Sequence, residues 1–527
     1  MLSLFNSIVR YGADSKKKVT GYQDLFKLNS KFYKNYPKKI NSKKKIYIVH
    51  IDNYTGLILK ENLYAKQLQL HKNQDVAGIC ATYFNNEVSE IDKSYNIENI
   101  SYIPLLFKNF KIAILDFIKA IIFILKDSGI EHLINFRYKG IPIGNPIYDQ
   151  IIYEKSNVNE NKIKEYTCHK LDWKYGLKNL WEGMVVTDLS KKLFDKNPPS
   201  CIILSENTYI RSIVARTAIN YGADIIVTKF YSTFIEKNSY VQDMELGDRQ
   251  SIINHIIRKE YDNKDCSYEN LDFECSNIER KKSIVKTLGL DPDKKNVVIM
   301  LHLFNDSPRE QVYKPIYRDF YIWFVETLKI ISNIKNVNWI IKDHPYSKRY
   351  GQSKEVEKLV KKYSKRNIKL ISSFDGFNII KDLSDYVVTV SGTVCLESTR
   401  YGIQCITAGI PFRGYCPGII TTRSKKEYKD ILENIINIDK MDSAEIEKAQ
   451  KRYIYWHEII DMQKNELDMV FYDYINAVFL RPNSKERERM LETNKLKKIY
   501  IDFINDKTSK DLDNILFYDS YLKSYIK

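Results

Sequence analysis

Between Asn296 and Thr407, short apolar runs and helical stretches alternate so regularly that few folds accommodate them. Asn296-Val297-Val298-Ile299-Met300-Leu301 reads as a buried strand, and Tyr317–Ile334 as the helix after it. The strand Trp339-Ile340-Ile341, the helix Lys354–Tyr363, the strand Ile368–Ile371 and the helix Gly376–Leu383 continue the pattern. The strand Tyr386–Val390, a further helix, and the strand Gln404–Thr407 complete it. Apolar runs without polar alternation are strands covered on both faces. Strands alternating with helices predict a parallel, doubly wound α/β sheet. Ligands of such sheets bind beyond the C-terminal strand ends.

The first half carries a similar but weaker signal. Ile46–Ile51 reads as a strand and Gly56–Leu70 as a helix. Cys201–Leu204, the turn Ser205-Glu206-Asn207, a helix Tyr209–Tyr221 closed by Gly222, and Ile225–Val227 form a βαβ unit. Phe136–Asp149, dense in Gly and Pro, reads as a loop with fixed turns, and 232–292 shows no strong strand. Residues 1–45 are expected to form a basic arm, 46–275 an acceptor-side α/β domain, 276–440 a nucleotide-sugar-binding α/β domain and 441–527 a helical segment. A length of 527 residues exceeds what one core supports.

The net charge is +17, yet no zinc-finger spacing, RNA-recognition signature or helix-turn-helix accompanies it, so nucleic acid is not an expected partner. Such a field attracts anionic substrates and an anionic membrane surface; a solvated lysine-rich surface is the plainer reading. The run Ile112–Leu125, interrupted by Asp116 and Lys119, is too short to span a bilayer and reads as a buried or interfacial helix. The eight cysteines show no C-x-x-C spacing, which fits a reducing compartment and argues against a zinc site. The N-terminus lacks a signal-peptide layout, so a cytoplasmic location, with peripheral contact to the inner face of the membrane, is expected.

Two strand ends carry the candidate chemistry. In Lys342-Asp343-His344-Pro345 the proline stops the ladder and aims His344 into the crevice. An imidazole there stabilises the charge that grows as a nucleotide leaves, and Lys342 adds charge. In Ser391-Gly392-Thr393 the glycine permits a tight turn into a helix whose free N–H groups suit phosphate; Ser391 or Thr393 is alternatively an N-cap. Glu397, one turn further, suits the hydroxyls of a ribose, or is an ordinary first-turn glutamate. Arg413 is a candidate for a carboxylate or phosphate, or a surface arginine. Asp306 is a donor or acceptor contact, or a cap of the next helix. Glu206, at a strand end of the first domain, is the candidate general base, with Asp188 and Asp149 as rivals. Asp291-Pro292-Asp293 matches D-x-D but precedes a strand and reads as a turn; neither a metal nor a cofactor is expected.

At these residues the chain resembles bacterial surface-polysaccharide glycosyltransferases, in the capsule-synthesis group that includes Kdo transferases and, more distantly, bacterial sialyltransferases. The resemblance covers roughly residues 130 to 420. Those families share a His-Pro motif, matched by His344-Pro345, and a Ser-Ser or Ser-Thr motif, matched by Ser391-Gly392-Thr393 with glycine inside the pair. Their acidic base motif finds only a poor counterpart in Lys126-Asp127-Ser128-Gly129. The resemblance implies a GT-B fold, two Rossmann-like doubly wound domains facing a cleft. It implies inverting, metal-independent transfer from a nucleotide sugar, CMP-Kdo or a CMP-nonulosonic acid by preference, to a cell-surface polysaccharide or its lipid-linked acceptor. Rival readings are a CDP-glycerol- or CDP-ribitol-dependent phosphotransferase, a UDP-sugar 2-epimerase, and a non-catalytic polysaccharide- or RNA-binding protein.

Overall fold

The computed structural model describes residues 42–50, 73–80, 86–158, 164–205, 207–228, 233–236, 278–309, 315–363, 367–371, 381–411 and 416–462, with single positions between 27 and 69. These residues form two compact units, one drawn from positions up to 147, from 170–244 and from 459 on, the other from 148–169 and 245–458.

In chain order the first half contains β1 (Lys45–Val49), β2 (Asp75–Cys80), α1 (Asn86–Ser94), β3 (Glu98–Ser101), α2 (Tyr102–Lys108), α3 (Phe110–Lys126) and α4 (Ile130–Ile134). Then come β4 (Arg137–Tyr138), β5 (Ile141–Pro142), α5 (Gly144–Ser156), α6 (Tyr175–Lys196), β6 (Pro199–Leu204), α7 (Ser212–Ile219), β7 (Asp224–Thr228) and β8 (Thr233–Glu236). The first unit's sheet has the order β3-β2-β1-β6-β7-β8. It is parallel except at its edge, where β8 runs antiparallel to β7.

The second half contains α8 (Ile278–Leu288), β9 (Lys295–Met300), α9 (Phe320–Ile331), β10 (Val337–Lys342), α10 (Ser347–Tyr350), α11 (Ser353–Tyr363) and β11 (Ile368–Ile371). It continues with β12 (Tyr386–Thr389), α12 (Val394–Thr399), β13 (Gln404–Thr407), β14 (Ile419–Thr421), α13 (Lys425–Glu433) and α14 (Ser443–Met462). Its sheet is wholly parallel in the order β11-β10-β9-β12-β13-β14. Counted along each sheet, both orders read 3-2-1-4-5-6, the doubly wound arrangement of dinucleotide-binding folds. The expected fold class, two Rossmann-like α/β sheets, is therefore observed.

The lack of polar alternation in β9 now has its reason. Val297 and Ile299 enter a large core with Trp323, Phe324, Trp339 and Val388, while Val298 enters a second core with Ile340 and Leu383 on the opposite face. The middle of β9 is covered on both faces, so Val297, Val298 and Ile299 are all apolar.

Several local expectations are corrected. Phe136–Asp149 is not a loop: Lys139 (φ 51°) and Gly140 (φ 82°) turn the hairpin β4–β5, and α5 starts at Gly144 with Pro146 in its first turn. A strand, β8, lies within 232–292, where none was expected. The strands β2, β3 and β14 and the long helix α6 carry no periodic signal that the sequence reading used. The helix after β9 starts at Phe320, three residues late, because Asp319 is its N-cap and accepts from the Ile322 N–H at 2.7 Å. Gly222 does end its helical segment with a left-handed φ of 73°. Asp291-Pro292-Asp293 is a turn in which the Asp291 carboxylate accepts from the Asp293 N–H at 3.1 Å. Most of Gly376–Leu383 lies outside the described residues.

Candidate functional site

The strand order of the second sheet reverses between β9 and β12, and three strand ends meet there. Met300 pairs with Lys342, so His302 and His344, each two residues on, leave β9 and β10 side by side. Val388 pairs with Ile299, which brings Ser391, after β12, level with His302 on its other side. His344, His302 and Ser391 thus form a row at the switch point.

His302 was not among the sequence-derived candidates, although it follows its strand as His344 follows its own. Its ring is held at Nε2 and by its faces. The Ser391 N–H donates to Nε2 at 3.1 Å, and the Thr389 hydroxyl, which donates to the Met300 carbonyl, lies 3.1 Å from the same nitrogen. The ring stacks on Phe320 at 4.4 Å between centroids. The Gln352 amide donates to the His302 carbonyl at 2.9 Å, fixing the backbone below the ring. Burial, and then the neighbouring His344, push its pKa down to about 3. The ring is neutral, and an amide donor at Nε2 assigns the proton to Nδ1. Among the described residues, Nδ1 makes no hydrogen bond.

His344 presents the opposite tautomer. The Tyr346 N–H donates to Nδ1 at 3.2 Å, so the proton is on Nε2. Burial lowers its pKa against the pull of Asp343. Asp343 itself is occupied in the turn, accepting from the His344 N–H at 2.8 Å, the Ser347 hydroxyl at 2.5 Å and the Ser353 hydroxyl at 2.8 Å. The site therefore offers two neutral imidazole N–H donors on adjacent strands.

The remaining candidates are placed as follows. Ser391 is buried, Thr393 is exposed, and Glu397 is half-buried with its N–H on the Thr393 carbonyl at 3.0 Å. A side chain at Gly392 would face His302 Cε1 at 3.6 Å. Neither Ser391 nor Thr393 caps the helix: Thr393 stands at the N-cap position without a side-chain bond. That helix, α12, has only six residues, so the dipole expected to hold phosphate is short. Lys342 is buried within β10. Asp306 is exposed on a turn closed by its own N–H to the Leu303 carbonyl, and Asp319 rather than Asp306 caps the next helix. Asp149 accepts from the Arg309 N–H at 3.1 Å, and Asp188 pairs with Lys139 at 2.6 Å. Glu206 and Arg413 lie outside the described residues.

The first sheet carries a histidine at the corresponding place. His50 follows β1 directly, and Ile48 pairs with Ile203 across the switch point. Its side chain is closed to solvent, with Nδ1 3.3 Å from Glu61 and Nε2 3.0 Å from Asp92. Asn62 donates to Asp92 at 2.9 Å and Asn99 at 2.5 Å. Burial pushes the His50 pKa down, but the Asp92 and Glu61 carboxylates outweigh it and raise it to about 10. Gly78 on β2 leaves room for this cluster; a Cβ there would lie 2.5 Å from His50 Nε2 and closer still to Asp92. This imidazolium is internal, a structural ion pair, whereas the imidazoles of the second sheet are half-buried at the C-terminal ends of two interior strands.

No family model matches the chain, and no curated protein matches it. Among solved structures it is similar to a glycosyltransferase from Rickettsia africae, at 10% identity over 84% of this chain and 100% of that one, with a TM-score of 0.28. It is also similar to Anabaena HepE in complex with UDP-glucose, at 11% identity over 83% and 99%, with a TM-score of 0.28. A third is UDP-GlcNAc 2-epimerase from Methanocaldococcus jannaschii, at 13% identity over 78% and 98%, with a TM-score of 0.25. Identities and TM-scores this low carry nothing about the chemistry.

Proposed function

We propose that the chain is a GT-B glycosyltransferase that moves a sugar from a nucleotide-sugar donor to a growing cell-surface polysaccharide or its lipid-linked acceptor. The observation that carries this reading is the row His344, His302 and Ser391 at the switch point of a 3-2-1-4-5-6 sheet. Phosphate oxygens seated there would accept from His344 Nε2–H and His302 Nδ1–H. Charge that builds on the leaving phosphate, as the anomeric C–O bond breaks, is then met by donors already in place. Because both rings are neutral, they would act as hydrogen-bond donors rather than as counter-ions. Glu397 would accept the ribose hydroxyls, and Thr393, Lys342, Asp306 and Arg413 would supply secondary contacts. The acceptor hydroxyl needs a base, and Glu206 is the proposed one. The preferred donors are CMP-Kdo and a CMP-nonulosonic acid, and no metal is required in this scheme, which inverts the anomeric centre.

The test is a thermal-shift series with CMP, CDP, UDP and GDP on wild type, His302→Ala, His344→Ala and Glu397→Ala. Stabilisation by CMP, reduced in all three variants, is expected. UDP in its place would move the reading toward a UDP-sugar enzyme, a 2-epimerase if no acceptor is needed. Indifference to every nucleotide would sink the transferase reading.

A further inference from the structure

Helix α3 buries Phe123 and Ile124 but also presents a second apolar face to solvent. Its one carboxylate, Asp116, is buried, accepting from the Tyr138 hydroxyl at 2.7 Å and from Lys119 at 2.8 Å. Its small residues Ala113 and Ala120 also face inward. Leu115, Ile118, Ile122 and Leu125, spaced three and four apart on one side, are exposed, Leu125 to 69%. Phe110 extends the strip, and Phe107 of α2, exposed to 60%, stands before it.

The orientation is anchored from within. The Trp181 indole of α6 donates to the Ala113 carbonyl at 2.9 Å, and Phe117 meets the same indole edge-on at 5.9 Å. Rolling the helix to hide its leucines and isoleucines would break these bonds and expose Asp116's partners, so the apolar face stays outward.

The exposed charges around the strip are mostly cationic: Lys108 and Lys111 at one end and Lys126 at the other. Of the exposed acids at this end, Asp127 and Glu131, Asp127 is tied to its own turn through the Gly129 N–H at 2.7 Å and lies 3.4 Å from His132. Just past the helix, the Leu171 N–H bonds the Ser128 carbonyl, and the segment it opens carries exposed Trp173 between exposed Lys170 and Lys174. Among the described residues no helix is long and apolar enough to cross a membrane. Apolar side chains in one plane, a lysine rim and a neighbouring tryptophan are the chemistry of a helix lying in a lipid headgroup layer.

We infer that the exposed face of α2 and α3 docks on a bilayer containing anionic lipid, with the helix axis in the membrane plane. The lysine rim commits the surface to negatively charged headgroups, and the net charge of +17 acts in the same sense. This inference does not rest on the transferase reading.

The test is flotation of the full chain with vesicles of phosphatidylglycerol and phosphatidylethanolamine, against vesicles of phosphatidylcholine alone. Binding to the anionic vesicles that weakens with salt is expected. The double variant Ile118→Glu/Ile122→Glu should lower the bound fraction by about tenfold or more. Lys108→Glu/Lys111→Glu should remove the preference for anionic lipid. The altered side chains are exposed, so thermal melting should be unchanged in both variants, which separates docking from folding. Absence of wild-type flotation, or flotation untouched by the glutamates, overturns the inference. So does a concentration-dependent dimer that the glutamates disperse, since a second copy would then cover the strip.

Discussion

His302 and His344 stand at the same height on neighbouring strands, two residues beyond the register pair Met300–Lys342, and they carry their protons on opposite ring nitrogens. A backbone N–H fixes each tautomer, from Ser391 in one case and from Tyr346 in the other. The other ring nitrogen of each carries the N–H, a pair of donors set before any ligand arrives, and such preorganisation is what makes a polar site effective.

Replacing either histidine by alanine should weaken binding of the preferred nucleotide by roughly tenfold, about 1.4 kcal/mol. The double variant should lose less than the sum, because both donors would face one phosphate group. Isothermal titration of the three variants reads this directly, and unchanged affinity in both single variants would remove the site from consideration.

Glu397→Ala should separate the ribose from the phosphates. Loss of a carboxylate that accepts hydroxyls costs about 1–3 kcal/mol of nucleotide binding, while inorganic phosphate should bind as before. Glu397 is half-buried, so melting of the free protein should barely move. Equal loss for nucleotide and phosphate would assign Glu397 a different role.

The two strand-end histidines should tilt the stability curve in opposite directions. The folded pKa of His50 is raised to about 10 from an ordinary 6.5, so its contribution is complete below pH 6.5 and disappears as pH rises through 10. The folded pKa of His302 is depressed to about 3, so its contribution is complete above pH 6.5 and declines as pH falls toward 3. Denaturant unfolding across pH should show the alkaline fall vanish in His50→Gln and the acid fall diminish in His302→Gln. At neutral pH His50→Gln should itself cost about 3–5 kcal/mol, because two buried carboxylates lose their cation.

Gly78→Ala tests the same cluster without touching a charge. The added methyl collides with Asp92 and His50, and overpacking of this kind costs about 1–3 kcal/mol. Urea midpoints measure it. A neutral result would show that the cluster has more room than the structure gives it.

Much of the second sheet is readable in the sequence, because strands covered on both faces carry apolar runs without polar alternation in their middle. Val297, Val298 and Ile299 serve two cores and leave no alternation to misread. The strand-ending His344-Pro345 and the turn at Gly392 are local features and read locally. The edge strand β8 escaped notice, since an antiparallel edge needs no continuous apolar run. The hairpin at Lys139-Gly140 looked like a loop because its left-handed backbone is a turn signal whether or not strands flank it.

The sequence by itself determined the strongly apolar strands β1, β6, β7 and β9–β13, and therefore that His344 and Ser391 stand just past strand ends; it did not determine β2, β3, β8 or β14. It did not determine which ends are neighbours. Only the strand order sets His302 between His344 and Ser391, and that order is settled by how helices pack on both faces of a sheet. Burial likewise decided that His50 is an imidazolium between carboxylates while His302 is a neutral ring on Phe320. Tertiary bonds to Tyr138 and Trp181, not periodicity, turned the leucines and isoleucines of α3 toward solvent. Hydrophobic pattern is a property of one segment, but adjacency, protonation and orientation are properties of what surrounds it.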